Sequence, residues 1–246
     1  MTDLKIEIYP DRAALIARSL NLVVDCMNRA IAERGTCSIA LAGGSTPKPL
    51  YEALAKANLP WSQVQIFWGD ERYVPADHAD SNAGMAKAAW LDRIPIPADN
   101  VHMVPTDYEQ PAEAASQYEQ TLRQVLGDAT WPVMDISLLG MGDDGHTASL
   151  FPHTAALSVS DRLVTVGDKG ETPRITFTAP FINKSRHVVF VVAGQNKQTA
   201  LAQVFAAEAN EAAYPSRKIQ PEGELWWLLD AAAGEPLKEH PQASCF

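Results

Sequence analysis

The chain has 246 residues, 46% of them hydrophobic, and a formal net charge of −10; this supplies one sizeable α/β core, and its acidic balance excludes non-specific binding to nucleic acid or to an anionic membrane surface. The three cysteines, Cys26, Cys37 and Cys245, are odd in number and lack C-x-x-C spacing, which excludes a disulfide framework and a zinc site. No uncharged apolar run reaches membrane-spanning length and "MTDLKIEIYP" does not read as a signal peptide, so a cytoplasmic monomer or small homo-oligomer is expected.

The chain opens on a strand, "KIEIY", and a long helix from Asp11 to about Arg34, in which Ile16, Leu20, Val23, Met27 and Ile31 recur at helical spacing until Gly35 ends it. "TCSIALAGG" follows as an apolar strand of the kind buried on both faces, then "STPKPLYEALAKA" as a helix with Ser45 or Thr46 as its N-cap and Pro47 at its first position. The alternation continues with "QVQIFWGDE" as strand, "SNAGMAKAAWLDR" as helix, "VHMV" as strand, "AEAASQYEQTLRQVLG" as helix and "MDISLLGMG" as strand. Beyond residue 154, "RLVTVGD", "RITFTA" and "HVVFVVAG" read as strands, "NKQTALAQVFAAE" as helix and "LWWLLD" as the last strand. No repeat or linker interrupts the pattern, and the expectation is one α/β domain over residues 1–246, a single doubly wound, mostly parallel sheet with helices on both faces.

"GMGDDG", from Gly140 to Gly145, has the G-x-G-x-x-G spacing of a dinucleotide-binding turn and follows an apolar strand. Context argues against that reading. The turn must open a real helix, yet Pro152 leaves "HTASL" little more than one turn, and Asp143 and Asp144 stand where phosphates would approach. Asp168, about 20 residues on, is the single point in its favour.

A better phosphate cup is "LAGGSTPKP": Gly43 and Gly44 allow close backbone approach, Ser45 and Thr46 bring hydroxyls, and a helix N-terminus favours negative charge. It lacks Walker spacing, and an ordinary capped helix after a tight turn would look the same. "WGDER" sends Asp70, Glu71 and Arg72 out at the carboxyl edge of the next strand, where open α/β sheets bind ligands. A solvated charged loop is the commoner fate of such a run, but "GGSTP", "GDER" and "GMGDDGH" all gather on that one rim. His146 stands there in a glycine-rich turn beside two carboxylates, a setting for acid-base work, whereas His78, His102, His153, His187 and His240 read as structural. No G-x-S-x-G elbow, H-E-x-x-H helix or Cys/His pair is present, which leaves acid-base chemistry on a small phosphorylated molecule.

The motifs "LAGGSTP", "WGDERYVP" with "DSN", "GMGDDGHTASLFP", "PRITFT" and "AGQNK", in this order and spacing, resemble those of 6-phosphogluconolactonases over nearly the whole chain. The resemblance implies a fold similar to glucosamine-6-phosphate deaminases and ribose-5-phosphate isomerases, and hydrolysis of 6-phospho-D-glucono-1,5-lactone in the oxidative pentose phosphate pathway with no cofactor and no metal. It implies that His146 is the acid-base residue, with Asp144 or Asp70 orienting it or a sugar hydroxyl. The phosphate would fall on Gly43, Gly44, Ser45, Thr46, Arg72 and Lys197, with Arg174 a further contributor, and amides of the Gly140 to Gly145 turn, Gly142 among them, would meet the oxyanion. His153 departs from the pattern of many family members, which have glycine after "FP". The nearest rival, a glucosamine-6-phosphate deaminase, carries a glutamate five residues after the histidine, where this chain has Phe151. A phosphosugar-sensing module would need a DNA-binding segment, for which there is no room.

Overall fold

The computed structural model describes residues 2–170 and 172–246. In chain order the helices are α1 (Arg12–Arg34), α2 (Lys48–Leu54), α3 (Asn82–Ala89), α4 (Pro111–Leu126), α5 (Ala179–Ile182), α6 (Gln198–Phe205) and α7 (Ala231–Gly234). The strands are β1 (Asp3–Tyr9), β2 (Cys37–Leu41), β3 (Val64–Trp68), β4 (Asp70–Arg72), β5 (Ile136–Leu139), β6 (Val164–Lys169), β7 (Thr172–Phe177), β8 (His187–Val192), β9 (Glu224–Asp230) and β10 (Ala243–Cys245).

Seven strands form a wholly parallel sheet in the order β10-β1-β9-β8-β5-β2-β3. Its central strands are apolar runs because both faces are covered: every residue of β2, β3 apart from Gln65, and β5 is buried. Phe190 of β8 stacks on Trp227 of β9 at 3.8 Å between ring centroids. Helix α1 begins where the Asp11 carboxylate accepts from the Ala14 amide, and ends at Gly35, whose φ of +76° only glycine adopts without strain. The order places the reversal of winding between β2 and β5, since β2 leads outward to β3 on one side while β5 and β8 lie on the other. A crevice forms at the carboxyl ends of such a pair, because the connections depart in opposite directions.

The sequence reading meets four corrections. The strands read at 162–168 and 174–179 do not join the main sheet: β6 and β7 form an antiparallel hairpin that pairs with β4 as a separate three-stranded sheet. The apolar run expected to continue through Glu71 breaks at Gly69, whose amide donates to Leu41 of the main sheet while its carbonyl accepts from Phe177 of the small one. "VHMV" contributes only one bridge, Ile66 to Val101. Finally, helix α2 is capped at Pro47 without a side-chain bond, so Ser45 and Thr46 are not N-caps but wall residues of the crevice.

Candidate active site

A cavity of about 260 Å3 opens over the carboxyl ends of β2, β5 and β8. The loop after β2 brings Gly43, Gly44, Ser45 and Thr46 to it; the turn after β5 brings Gly142 and His146; the loop after β8 brings Lys197; and the small sheet closes the far side with Asp70, Arg72 and Arg174. Sequence-distant residues meet there because consecutive α/β connections leave the sheet on one edge.

Gly43 is required by crowding: a Cβ on it would lie 1.8 Å from Asn82 Oδ1. Asn82 is buried and donates through Nδ2 to the Asp70 carbonyl at 2.8 Å, joining the start of α3 to β4. Beside it Glu71, also buried, accepts from the amides of Arg72, Asn82 and Ala83 and from Ser81 Oγ. Burial pushes the Glu71 carboxyl above its usual range, against the pull of those three amides. The clip folds the 73–81 connection back so that the Asp80 carbonyl accepts from Arg72 Nη1 at 2.8 Å.

Arg72 and Arg174 are direct partners across β4 and β7. Two like charges so placed repel, and burial with the neighbouring Arg72 lowers the Arg174 pKa. The Nε atom of each is buried without a hydrogen-bond partner. An anion in the cavity would relieve both the repulsion and the desolvation. Lys197, on the opposite wall, is paired with Asp143, which also accepts from Asn196 Nδ2; these bonds hold the Asp143 carboxyl below its usual range.

His146 lies against Gly142, where a Cβ would fall 2.0 Å from Nδ1. Its Nδ1 is 2.5 Å from Asp144 Oδ1, and the same oxygen accepts the His146 amide at 3.1 Å. Because a carboxylate only accepts, Nδ1 carries the proton and Nε2 is left as the basic nitrogen. The ring also packs on Phe151, at 4.6 Å between centroids. Asp70 takes a different part: its Oδ2 accepts from the buried Ser149 Oγ at 2.7 Å, tying the turn to the small sheet. The Gly142 and Gly145 amides close the turn itself, donating to His146 and Gly142 carbonyls, so they are engaged rather than presented to a ligand. No helix follows the glycine turn, and Asp168 sits away in the hairpin opposite Pro173.

Asn82 and Ser149 were absent from the sequence-derived site, and Glu71 was placed on its rim without a role. Only the motif "DSN" pointed toward Asn82; the bonds of Glu71 and Ser149 depend on partners reached through the fold. His153 is outside the cavity wall, with a left-handed φ of +60° and its amide on the Ala212 carbonyl. That conformation is the reason a glycine suits the position. Among the described residues no group of three or more His, Cys, Asp or Glu is arranged to hold a metal ion, and no helix is long and apolar enough to cross a membrane.

Residues 10–227 match the family described as glucosamine-6-phosphate isomerases/6-phosphogluconolactonase. The chain is 61% identical, over 94% of its length and 98% of the relative's, to a 6-phosphogluconolactonase of Nostoc sp. (strain PCC 7120 / SAG 25.82 / UTEX 2576). It superposes on the 6-phosphogluconolactonase from Trypanosoma cruzi with a TM-score of 0.86 at 32% identity, covering 97% of this chain and 98% of the other. A monomeric glucosamine-6-phosphate deaminase shares the fold, with a TM-score of 0.81 at 18% identity over 94% of this chain and 99% of the other. With the family profile spanning most of the chain and relatives matched almost end to end, this protein belongs to the glucosamine-6-phosphate isomerase/6-phosphogluconolactonase family.

Proposed function

We propose that this protein hydrolyses 6-phospho-D-glucono-1,5-lactone to 6-phosphogluconate, with His146 as the acid-base residue. The observation that carries the reading is His146, bonded to Asp144 and lining one cavity with two arginines and a lysine. The cations Arg72, Arg174 and Lys197, with the Gly43 to Thr46 loop, would receive the phosphate; within a chain of net charge −10 they are a local exception that a dianion can exploit. His146 Nε2 would take a proton from a water attacking the lactone carbonyl. As the ring C–O bond breaks, the same proton returns to the departing oxygen, which becomes a sugar hydroxyl. Asp144 fixes the ring and stabilises the transient imidazolium. Of the turn's amides, those of Gly142 and Gly145 are engaged within it and are not the donors that would meet the oxyanion.

The deaminase reading finds an apolar ring where it would need a carboxylate: Phe151 packs directly on His146. Assays with the lactone and with glucosamine 6-phosphate separate the two, ammonia release from the latter favouring the deaminase. For the mechanism, His146→Ala should lower kcat by about 10²–10⁴-fold with KM nearly unchanged. Unchanged turnover in that variant would remove His146 from the chemistry.

A further inference from the structure

The connection between α6 and β9 has no role in the chemistry above, yet it is built against the catalytic turn. Ser216, 1% exposed, directs both its amide (2.9 Å) and its Oγ (2.8 Å) at one acceptor, the Gly145 carbonyl. Tyr214 packs on Gly145 so closely that a Cβ there would come within 2.9 Å of its ring. The Ala212 carbonyl accepts from the His153 amide, holding the far end of the same turn. The segment is itself anchored: Arg217 Nη1 donates to the carbonyls of Gln203, Val204 and Ala206 at the end of α6.

We propose that Ser216 is a positioning residue for His146, acting through the Gly145–His146 peptide. This rests on the reading of His146 as the acid-base group. Gly145 C=O and His146 N–H are the two ends of one planar amide. Two donors on its oxygen polarise the unit and strengthen the N–H as a donor. That N–H donates to Asp144 Oδ1, the oxygen that also holds His146 Nδ1. The relay runs from Ser216 through the peptide to the carboxylate and back to the imidazole. It fixes where Asp144 points and therefore which ring nitrogen carries the proton. Gly145, at φ +79°, can turn freely in the unfolded chain, so a clamp on its carbonyl is what makes the turn single-valued in the folded one. None of the cavity's cations touches Ser216, so the relay bears on turnover and not on phosphate capture.

The test compares Ser216→Ala and Ser216→Thr with the unsubstituted enzyme. Ser216→Ala should lower kcat about tenfold, as expected for a slightly misplaced catalytic group. KM and the Kd for 6-phosphogluconate should stay within about twofold, since the phosphate contacts are untouched. Ser216→Thr, which keeps the hydroxyl, should recover most of the turnover. In histidine ¹⁵N spectra the His146 nitrogens, assigned by their loss in His146→Ala, should move toward tautomer averaging in Ser216→Ala only. Should Ser216→Ala fail to accumulate folded, Ser216→Cys, which keeps the volume with a poorer donor, carries the measurement. Full kcat in the folded variant, or a loss shared equally by kcat and 6-phosphogluconate affinity with unmoved His146 signals, overturns the inference. Full turnover in His146→Ala would instead sink the acid-base reading itself.

Discussion

At the scale of single residues, the site is defined as much by missing side chains as by present ones. Gly43 and Gly142 each occupy a point where a methyl group would collide with a functional neighbour, Asn82 and His146. Gly43→Ala should therefore destabilise the protein by about 1–3 kcal/mol, because Asn82 is buried and must give up its bond to the Asp70 carbonyl to make room. Its KM for the phosphorylated lactone should rise in the same variant. Thermal unfolding and steady-state kinetics check both, and a fully stable variant with unchanged KM would show that Asn82 yields without consequence. His146 was legible in the sequence since a histidine in a glycine turn beside two acids is a local pattern. The choice between Asp144 and Asp70 as its partner was not, because it hinges on Ser149 binding Asp70 across 79 positions.

At the scale of elements, apolar periodicity located the long pieces and failed where a strand changes sheets. The run from Gln63 to Glu71 looks continuous, but Gly69 passes the chain from the parallel sheet to the antiparallel one. Beyond that break Glu71 does the work of a clip, joining β4 to the start of α3 by its bonds to three amides and a hydroxyl. Glu71→Gln would turn an amide NH2 toward backbone donors. The expected loss is about 1–3 kcal/mol of stability. Since the clip carries the Asp80 carbonyl that holds Arg72, KM should rise several-fold while kcat stays within about twofold. A variant in which kcat falls and KM does not would place Glu71 in the chemistry instead. The short β10 escaped the sequence reading because three residues carry no periodicity; it is held by parallel pairing with β1 and by Phe246 stacked on Tyr9 at 5.0 Å.

At the scale of the whole molecule, the cavity lies between two sheets, each holding part of the cationic set: Arg72 and Arg174 come from the small sheet, Lys197 and the glycine loop from connections of the large one. A phosphorylated ligand should bridge them and stabilise the fold as a unit. At 100 times its Kd, 6-phosphogluconate is expected to add about 2.7 kcal/mol, a rise in Tm of roughly 5–10 °C for a chain of this size. Arg72→Ala should abolish most of that rise; an equal rise in the variant would mean the phosphate is held by the large sheet alone. The sequence by itself determined the parallel α/β sheet, the rim on which the motifs gather and the candidate chemistry, because buried strands are apolar runs and functional turns follow them locally. Only the tertiary structure decided which carboxylate His146 is bonded to, that two arginines stand opposite one another across β4 and β7, and that Ser216 bonds the Gly145 carbonyl. Those facts depend on contacts between residues tens of positions apart, whose partners no local pattern names.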